Sequence, residues 1–260
     1  MEIIKFIDSK NISSYCASLI AATISKNNYS VLGLATGSTP LETYKVLIEQ
    51  YNRKNLDFSK VTTFNLDEYC GLSVENEQSF AYYMKRYLFD HINIKHTNTH
   101  IFNGKAVDSS LECERYEDLI LSKGGIDILL LGIGTNGHIA FNEPAESFPV
   151  KSHLVKLTRE TIQANSRFFK SSNEVPHHAY TMGVGTIFSA KKILLLATGK
   201  IKAKAIRNTI LGPVTPLCPA SLLQLHKNIT VLLDTSAASE IDKYKGVEII
   251  DFTFEYKNIS

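Results

Sequence analysis

The sequence predicts an α/β fold: a doubly wound, mostly parallel, Rossmann-like sheet with helices on both faces. Three observations predict it. Short apolar runs at 31–35, 126–131 and 192–197 have the length and near-continuous hydrophobicity of strands buried on both sides. Segments with helical spacing of apolar residues alternate with them, as βαβ crossovers require. Glycine-rich or acidic loops follow the runs directly, at Thr36-Gly37-Ser38-Thr39, Asp67-Glu68 and Gly132 to Gly137. Open α/β sheets present chemistry at those carboxyl ends.

Bulk composition narrows the function classes. The chain has 260 residues, 44% of them hydrophobic and 21% charged, enough for one sizeable core. Residues 1–260 are therefore expected to form a single domain. A net charge of +2 supplies no field that recruits nucleic acid or a membrane surface. No apolar run approaches the roughly 20 residues that span a bilayer. The first eight residues alternate like a strand and lack a signal-peptide core, so a cytoplasmic protein is expected. Cys16, Cys70, Cys113 and Cys218 are scattered without C-x-x-C spacing and read as reduced packing residues. Cys70 stands beside Asp67 and Glu68, whose carboxylates disfavour a thiolate nucleophile.

Taken in order, residues 11–26 show helical spacing through Ile12, Tyr15, Leu19 and Ala22. The 31–35 strand runs into Thr36, Gly37, Ser38, Thr39 and Pro40, with a helix expected at 41–51. Pro40 suits the first helical position and Thr39 the cap before it. Backbone N–H groups, hydroxyls and a helix dipole then converge on one spot, an anion site suited to phosphate. No G-x-x-x-x-G-K-[ST] pattern is present, so a monophosphate fits better than ATP. Residues 61–66 form the next strand, ending on Asp67, Glu68 and Tyr69. Alternation lets only one of the two carboxylates face a cleft, leaving the other as a supporting partner. Residues 79–89 read as an aromatic core helix, and Ser109–Ser122 as an amphipathic helix stopped by Lys123-Gly124-Gly125.

Residues 132–144, Gly-Ile-Gly-Thr-Asn-Gly-His-Ile-Ala-Phe-Asn-Glu-Pro, follow the strand at 126–131. Gly132, Gly134 and Gly137 match the dinucleotide fingerprint G-x-G-x-x-G. That motif also needs a long helix after the third glycine and an acid at the end of the next strand. Pro144 intervenes too early, and Glu160 lies at a helix start. The glycines instead shape a turn that presents His138 and Glu143. Residues 145–156 lack a clear period and 157–169 read as a helix. The whole 145–176 segment is a candidate mobile lid over the site. His177-His178 reads as a solvated loop pair. Residues 179–183, 192–197 and 229–233 complete the strands, with Lys202 and Lys204 opening a basic helix after the second of these.

One sheet edge should thus gather the 36–39 anion loop, the Asp67 carboxylate, the His138/Glu143 pair, and Arg167 or a lysine near 202. Such a set suits acid–base work on a sugar phosphate. A carboxylate can carry a proton between adjacent carbons, and a His–Glu pair can open a pyranose ring. Neither step needs a metal or a redox cofactor, and the H-E-x-x-H spacing of a zinc site is absent.

These residues carry a resemblance. The stretches 34–40, 64–69, 132–144, 165–169 and 181–186 resemble the glucosamine-6-phosphate deaminases, in order and without large gaps. The resemblance implies conversion of glucosamine 6-phosphate and water to fructose 6-phosphate and ammonia without cofactor or metal. It implies Asp67 as the base and His138 as the ring-opening group, supported by Glu143 and Asn136. It implies substrate binding by Thr36, Gly37, Ser38, Thr39, Glu68, Tyr69, Gly137, Arg167 and Lys202. The implied partner is an amino sugar phosphate, with no nucleic acid and no membrane, and with a homo-oligomer left open. Two departures stand out. Many members carry aspartate where this chain has Asn136, and an amide can orient the imidazole but cannot share a proton. Regulated members show Arg-x-Lys where this chain has His153 and Val155, so the resemblance does not extend to their activation. The competing expectations are a 6-phosphogluconolactonase-type hydrolase, which should show Ala-Ser-Leu-Phe after its histidine, and a non-catalytic sugar-phosphate sensor. The residues before Val31 are too few for a helix-turn-helix segment.

Overall fold

In the computed structural model, residues 1–166, 169, 171, 174–244 and 246–252 are described. The strands in chain order are β1 (Glu2–Phe6), β2 (Val31–Leu34), β3 (Thr62–Asn65), β4 (Asp67–Tyr69), β5 (Thr99–His100) and β6 (Ile128–Gly132). After these come β7 (His153–Lys156), β8 (His178–Thr181), β9 (Ile193–Ala197), β10 (Ile229–Asp234) and β11 (Ile250–Phe252). The helices are α1 (Ser9–Lys26), α2 (Leu41–Asn52), α3 (Phe80–Tyr87), α4 (Ser109–Ser122), α5 (Arg159–Asn165), α6 (Val184–Phe188), α7 (Ala203–Leu211) and α8 (Thr235–Ala238).

Eight strands form one parallel sheet in the order β11-β1-β10-β9-β6-β2-β3-β5. The chain builds rightward from β2 to β5, then returns to the other side of β2 with β6. Strand order therefore reverses between β2 and β6, and a crevice opens at their carboxyl ends.

Alternation along each strand sorts the core into two layers. Leu129, Leu131, Leu195, Val231 and Leu233 face one layer, packed with Tyr116 of α4, Ile187 of α6 and Ile206 of α7. Ile128, Leu130, Leu194, Leu196 and Leu232 face the other, packed with Ile12 and Ile20 of α1, Tyr44 of α2 and Met84 of α3. Both faces of the central strands are covered, which is why those strands read as continuous apolar runs. The expected doubly wound architecture is present.

A second sheet departs from the sequence expectation. β4, β8 and β7 pair antiparallel in that order, so Asp67–Tyr69 is a strand of its own rather than the tail of β3. The stretch before Leu157 is not patternless, since β7 lies in it. Its four residues alternate between half-buried and exposed, too short a run for the period to stand out. The helix expected at 157–169 is seen at Arg159–Asn165, capped by Thr158. Residues 167, 168 and 170 lie outside the described residues. The short edge strands β5 and β11 were not expected either.

Tyr116 ties the layers to the crevice. Its buried hydroxyl donates to the carbonyls of Asn65 at 2.8 Å and His100 at 3.1 Å, at the ends of β3 and β5. Tyr116→Phe leaves those carbonyls without that donor, so it should lower unfolding stability by about 1–3 kcal/mol. A shifted urea midpoint with an unchanged m-value would show this.

Candidate active site

The crevice is a cleft of about 550 Å³ whose walls include Thr36, Gly37, Ser38, Thr39, Asp67, Tyr69, His138 and Lys202. Its size is that of a small-molecule site. These residues come from the loops after β2, β6 and β9 and from the strand just beyond β3, four neighbouring positions in the sheet.

The loop after β2 turns on Gly37, whose φ of +90° lies in the left-handed region. Two tyrosines hold it. Tyr44 donates its hydroxyl to the Ala35 carbonyl, and Tyr83 donates to the Gly37 carbonyl at 2.6 Å. Tyr83 and Tyr87, expected in the core, line the cleft, and Tyr83 also packs against the core. The cap also differs from expectation. Pro40, not Thr39, occupies the cap position of α2 and offers no side-chain acceptor. The first-turn N–H groups are thus not capped from within the loop and face the cleft end as anion donors. Lys202, in the turn before α7, donates to the Ile133 carbonyl at 2.6 Å and brings a cation to the same wall.

Asp67 and Glu68 divide as strand alternation requires. Asp67 lines the cleft, 8% exposed, while Glu68 turns away at 2%. Burial pushes the Asp67 carboxyl up to about 8, and the neighbouring Glu68 adds to the shift. Burial also raises Glu68, to about 7, against three backbone N–H groups that favour its ionised form. Those donors are Tyr69, Phe80 and Ala81, at 2.8, 2.9 and 2.8 Å. Glu68, expected beside the substrate, is instead committed to the first turn of α3.

The glycines around 132–137 shape the His138 side of the cleft. A Cβ at Gly134 would overlap Nδ1 and Cε1 of the His138 ring, so only glycine lets the imidazole fold back over that turn. Gly137, with φ +88°, forms the turn and packs on Cys218 rather than lining the cleft. Ala140 lines the cleft with φ +50°, a strained value for a residue with a side chain. Buried Asn142 anchors the loop by donating to the carbonyls of Ile139 at 3.0 Å and Met182 at 2.8 Å.

Behind His138, Glu143 Oε2 lies 3.3 Å from Nδ1 and accepts from Asn136 Nδ2 at 2.7 Å. Asn136 also accepts the His138 backbone N–H at 3.1 Å, so it orients Glu143 and the backbone rather than the ring. Partial burial works to raise the Glu143 carboxyl, but contacts with His138, Thr161 and Asn136 outweigh it and hold it down at about 2. Thr161 was given no site role in the sequence, and Tyr83 was assigned to the core. Thr161 sits three residues after a helix-capping threonine, and nothing local marks its partner. Among the described residues no cluster of three or more His, Cys, Asp or Glu is placed to hold a metal. His178 pairs within β8 and is exposed. Arg167 lies outside the described residues.

The family model for glucosamine-6-phosphate isomerases/6-phosphogluconolactonase matches residues 9–232. The chain belongs to this family. A glucosamine-6-phosphate deaminase of Thermoanaerobacter sp. (strain X514) is 52% identical over 252 residues, 96% of this chain and 100% of that relative. One from Clostridium acetobutylicum is 54% identical over 238 residues, 92% of this chain and 99% of its own length. A solved family member, a monomeric glucosamine-6-phosphate deaminase, superposes with a TM-score of 0.90 at 47% identity, covering 92% of this chain and 100% of that one. A Trypanosoma cruzi 6-phosphogluconolactonase superposes at 0.75 with 21% identity over 93% of this chain and 97% of that one, and shares the fold.

The burial of Asp67 has a cost that pH reveals. Folded Asp67 keeps its proton up to about 8, whereas the unfolded side chain releases it near 3.8. Between those values the unfolded state binds fewer protons, so rising pH removes stability. Asp67→Asn should therefore be more stable than the parent chain at pH 8 by more than about 1 kcal/mol. Urea midpoints across the range should show that advantage vanishing toward pH 4.

Proposed function

We propose that this family member converts glucosamine 6-phosphate and water to fructose 6-phosphate and ammonia. The observation that carries this reading is a buried, proton-holding carboxyl and a His–Glu pair facing one cleft that ends at an uncapped helix N-terminus. The relatives at 47–54% identity support it, since each is a glucosamine-6-phosphate deaminase.

In this reading the phosphate sits on the first turn of α2, with the Ser38 and Thr39 hydroxyls and Lys202 around it. Arg167 joins them as a proposed fourth contact. His138 receives the proton of the anomeric hydroxyl and delivers one to the ring oxygen, giving the open-chain aldehyde. Asp67 takes the proton from C2 and returns it to C1, while the aldehyde oxygen gains the proton that the amine gives up, leaving an imine at C2. Water adds to that imine, and ammonia leaves. A substrate amine carrying positive charge beside Asp67 favours its ionised form, readying the base on binding. Tyr69 packs against Phe80 and Phe141 and walls the base from solvent. The 145–176 segment serves as a lid, a role supported by Asn165 and Phe169 in the cleft wall.

Every group given a role comes from one chain, so the chemistry needs no second copy. No helix among the described residues is long and apolar enough to cross a membrane. The cytoplasm is the proposed compartment, in keeping with four free cysteines.

Purified protein supplied with glucosamine 6-phosphate should release ammonia, and 6-phosphogluconolactone assayed in parallel should not be hydrolysed above background. The opposite pair of results would reassign the reaction. Asp67→Asn should lose at least about a hundredfold in kcat. Since the base must be ionised in the free enzyme, kcat/KM should fall as pH drops below about 8. A flat profile between pH 6 and 9 would remove Asp67 from that role.

A further inference from the structure

Helix α5 contributes more than a wall to the cleft. Thr161, in its first turn, donates its hydroxyl to Glu143 Oε1 at 2.6 Å. The same hydroxyl oxygen accepts from Thr158 Oγ1 at 3.1 Å, and Thr158 caps the helix by accepting the Thr161 N–H at 3.1 Å. At the far end of the helix Asn165 lines the cleft together with Tyr69, two residues from Asp67. This seven-residue helix therefore runs from the support of His138 to the cleft wall shared with Asp67.

We propose that Thr161 is a positioning residue for ring opening, fixing the Glu143 carboxylate so that Oε2 addresses His138 Nδ1. The proposal rests on the deaminase reading of the site. A Glu side chain ends in a broad, roughly twofold torsion, so its carboxylate plane is not set by the chain itself. Asn136 donates to Oε2 at 2.7 Å but, acting alone, would be served equally by either oxygen. Thr161 removes that freedom by holding Oε1.

The consequence is felt at the imidazole. His138 Nδ1 is buried and stands 3.3 Å from Oε2, yet the approach is not aligned as a hydrogen bond. A small rotation of the carboxylate decides whether that bond forms, and so whether Nδ1 holds its proton while the other ring nitrogen exchanges one with the sugar. The seating of α5 thereby becomes a condition for proton transfer. A displaced α5 would leave His138 in place but its partner free to turn. Apart from the proposed Arg167, the phosphate contacts lie on other elements and would not change.

That separation defines the test. Steady-state ammonia release from glucosamine 6-phosphate is measured for the parent chain, Thr161→Val, Thr161→Ala and Thr161→Ser, with thermal melts alongside. The two hydroxyl-free variants should lose roughly tenfold or more in kcat at a KM within twofold of the parent. Thr161→Ser, which keeps the donor, should restore kcat to within about threefold. Unchanged kcat in Thr161→Ala or Thr161→Val overturns the proposal. So does a loss that Thr161→Ser shares, or one expressed as raised KM with a lowered melting temperature, since either marks a packing role. A parent chain that releases no ammonia would fail the deaminase reading itself, an outcome distinct from an active parent indifferent to residue 161.

Discussion

The site depends on where the Glu68 carboxylate is held. It accepts three backbone N–H groups, its neighbour's and the first two of α3, and is almost wholly buried while doing so. Three such donors fix β4 against α3 and leave the next side chain no choice of direction. Because successive residues of a strand face opposite ways, pinning Glu68 outward from the cleft pins Asp67 into it. The same negative charge then disfavours ionisation of Asp67, adding to the effect of burial. One structural carboxylate thus sets both the aim and the proton affinity of its neighbour. A base held near its proton at neutral pH is suited to taking one from carbon and giving it back.

The rest of the cleft separates two electrostatic tasks. At one end an uncapped helix N-terminus, hydroxyls and Lys202 offer positive potential to an anion. At the other, carboxylates and an imidazole are placed for the proposed proton transfers, and there burial is what holds the proton on Asp67. The reversal of strand order between β2 and β6 brings these tasks together, since both loops rise from the crevice it opens. Tyr83, reaching from α3 to the Gly37 carbonyl, braces the anion end with the same helix whose first turn holds Glu68.

Much of this was legible in the chain because the signals are local. The buried strands announce themselves by uninterrupted apolar runs, and Ser109–Ser122 by helical spacing ended at paired glycines. Alternation showed that only one of Asp67 and Glu68 could face the cleft, and the family resemblance named Asp67. What stayed hidden depends on partners distant in sequence. β7 spans four half-exposed residues, and its strand character exists only through pairing with β8. The expected core aromatics Tyr83 and Tyr87 face the cleft because α3 turns them toward the loop after β2, a contact across 46 positions. Thr39 met the composition rule for a cap, yet Pro40 takes that position once the glycine turn is built. Thr161 carries no local mark at all, since its meaning comes from Glu143, 18 residues earlier.

Asn136 shows how a departure from the common pattern can be accommodated by the group beside it. Its amide donates to Glu143 with one end and accepts the His138 backbone N–H with the other. A carboxylate in its place could still accept that N–H, but it would face Glu143 as a like charge unless one of them kept a proton. With the amide there, Glu143 meets donors from Asn136 and Thr161 and stays ionised, its carboxyl held down at about 2. An ionised Glu143 turned to accept from Nδ1 would select the imidazole form that carries its proton on that nitrogen, leaving the other nitrogen for exchange. The relay therefore does not need a second acid at 136. It needs Glu143 to be charged and correctly turned, and the amide supplies the first condition while the hydroxyl of α5 supplies the second.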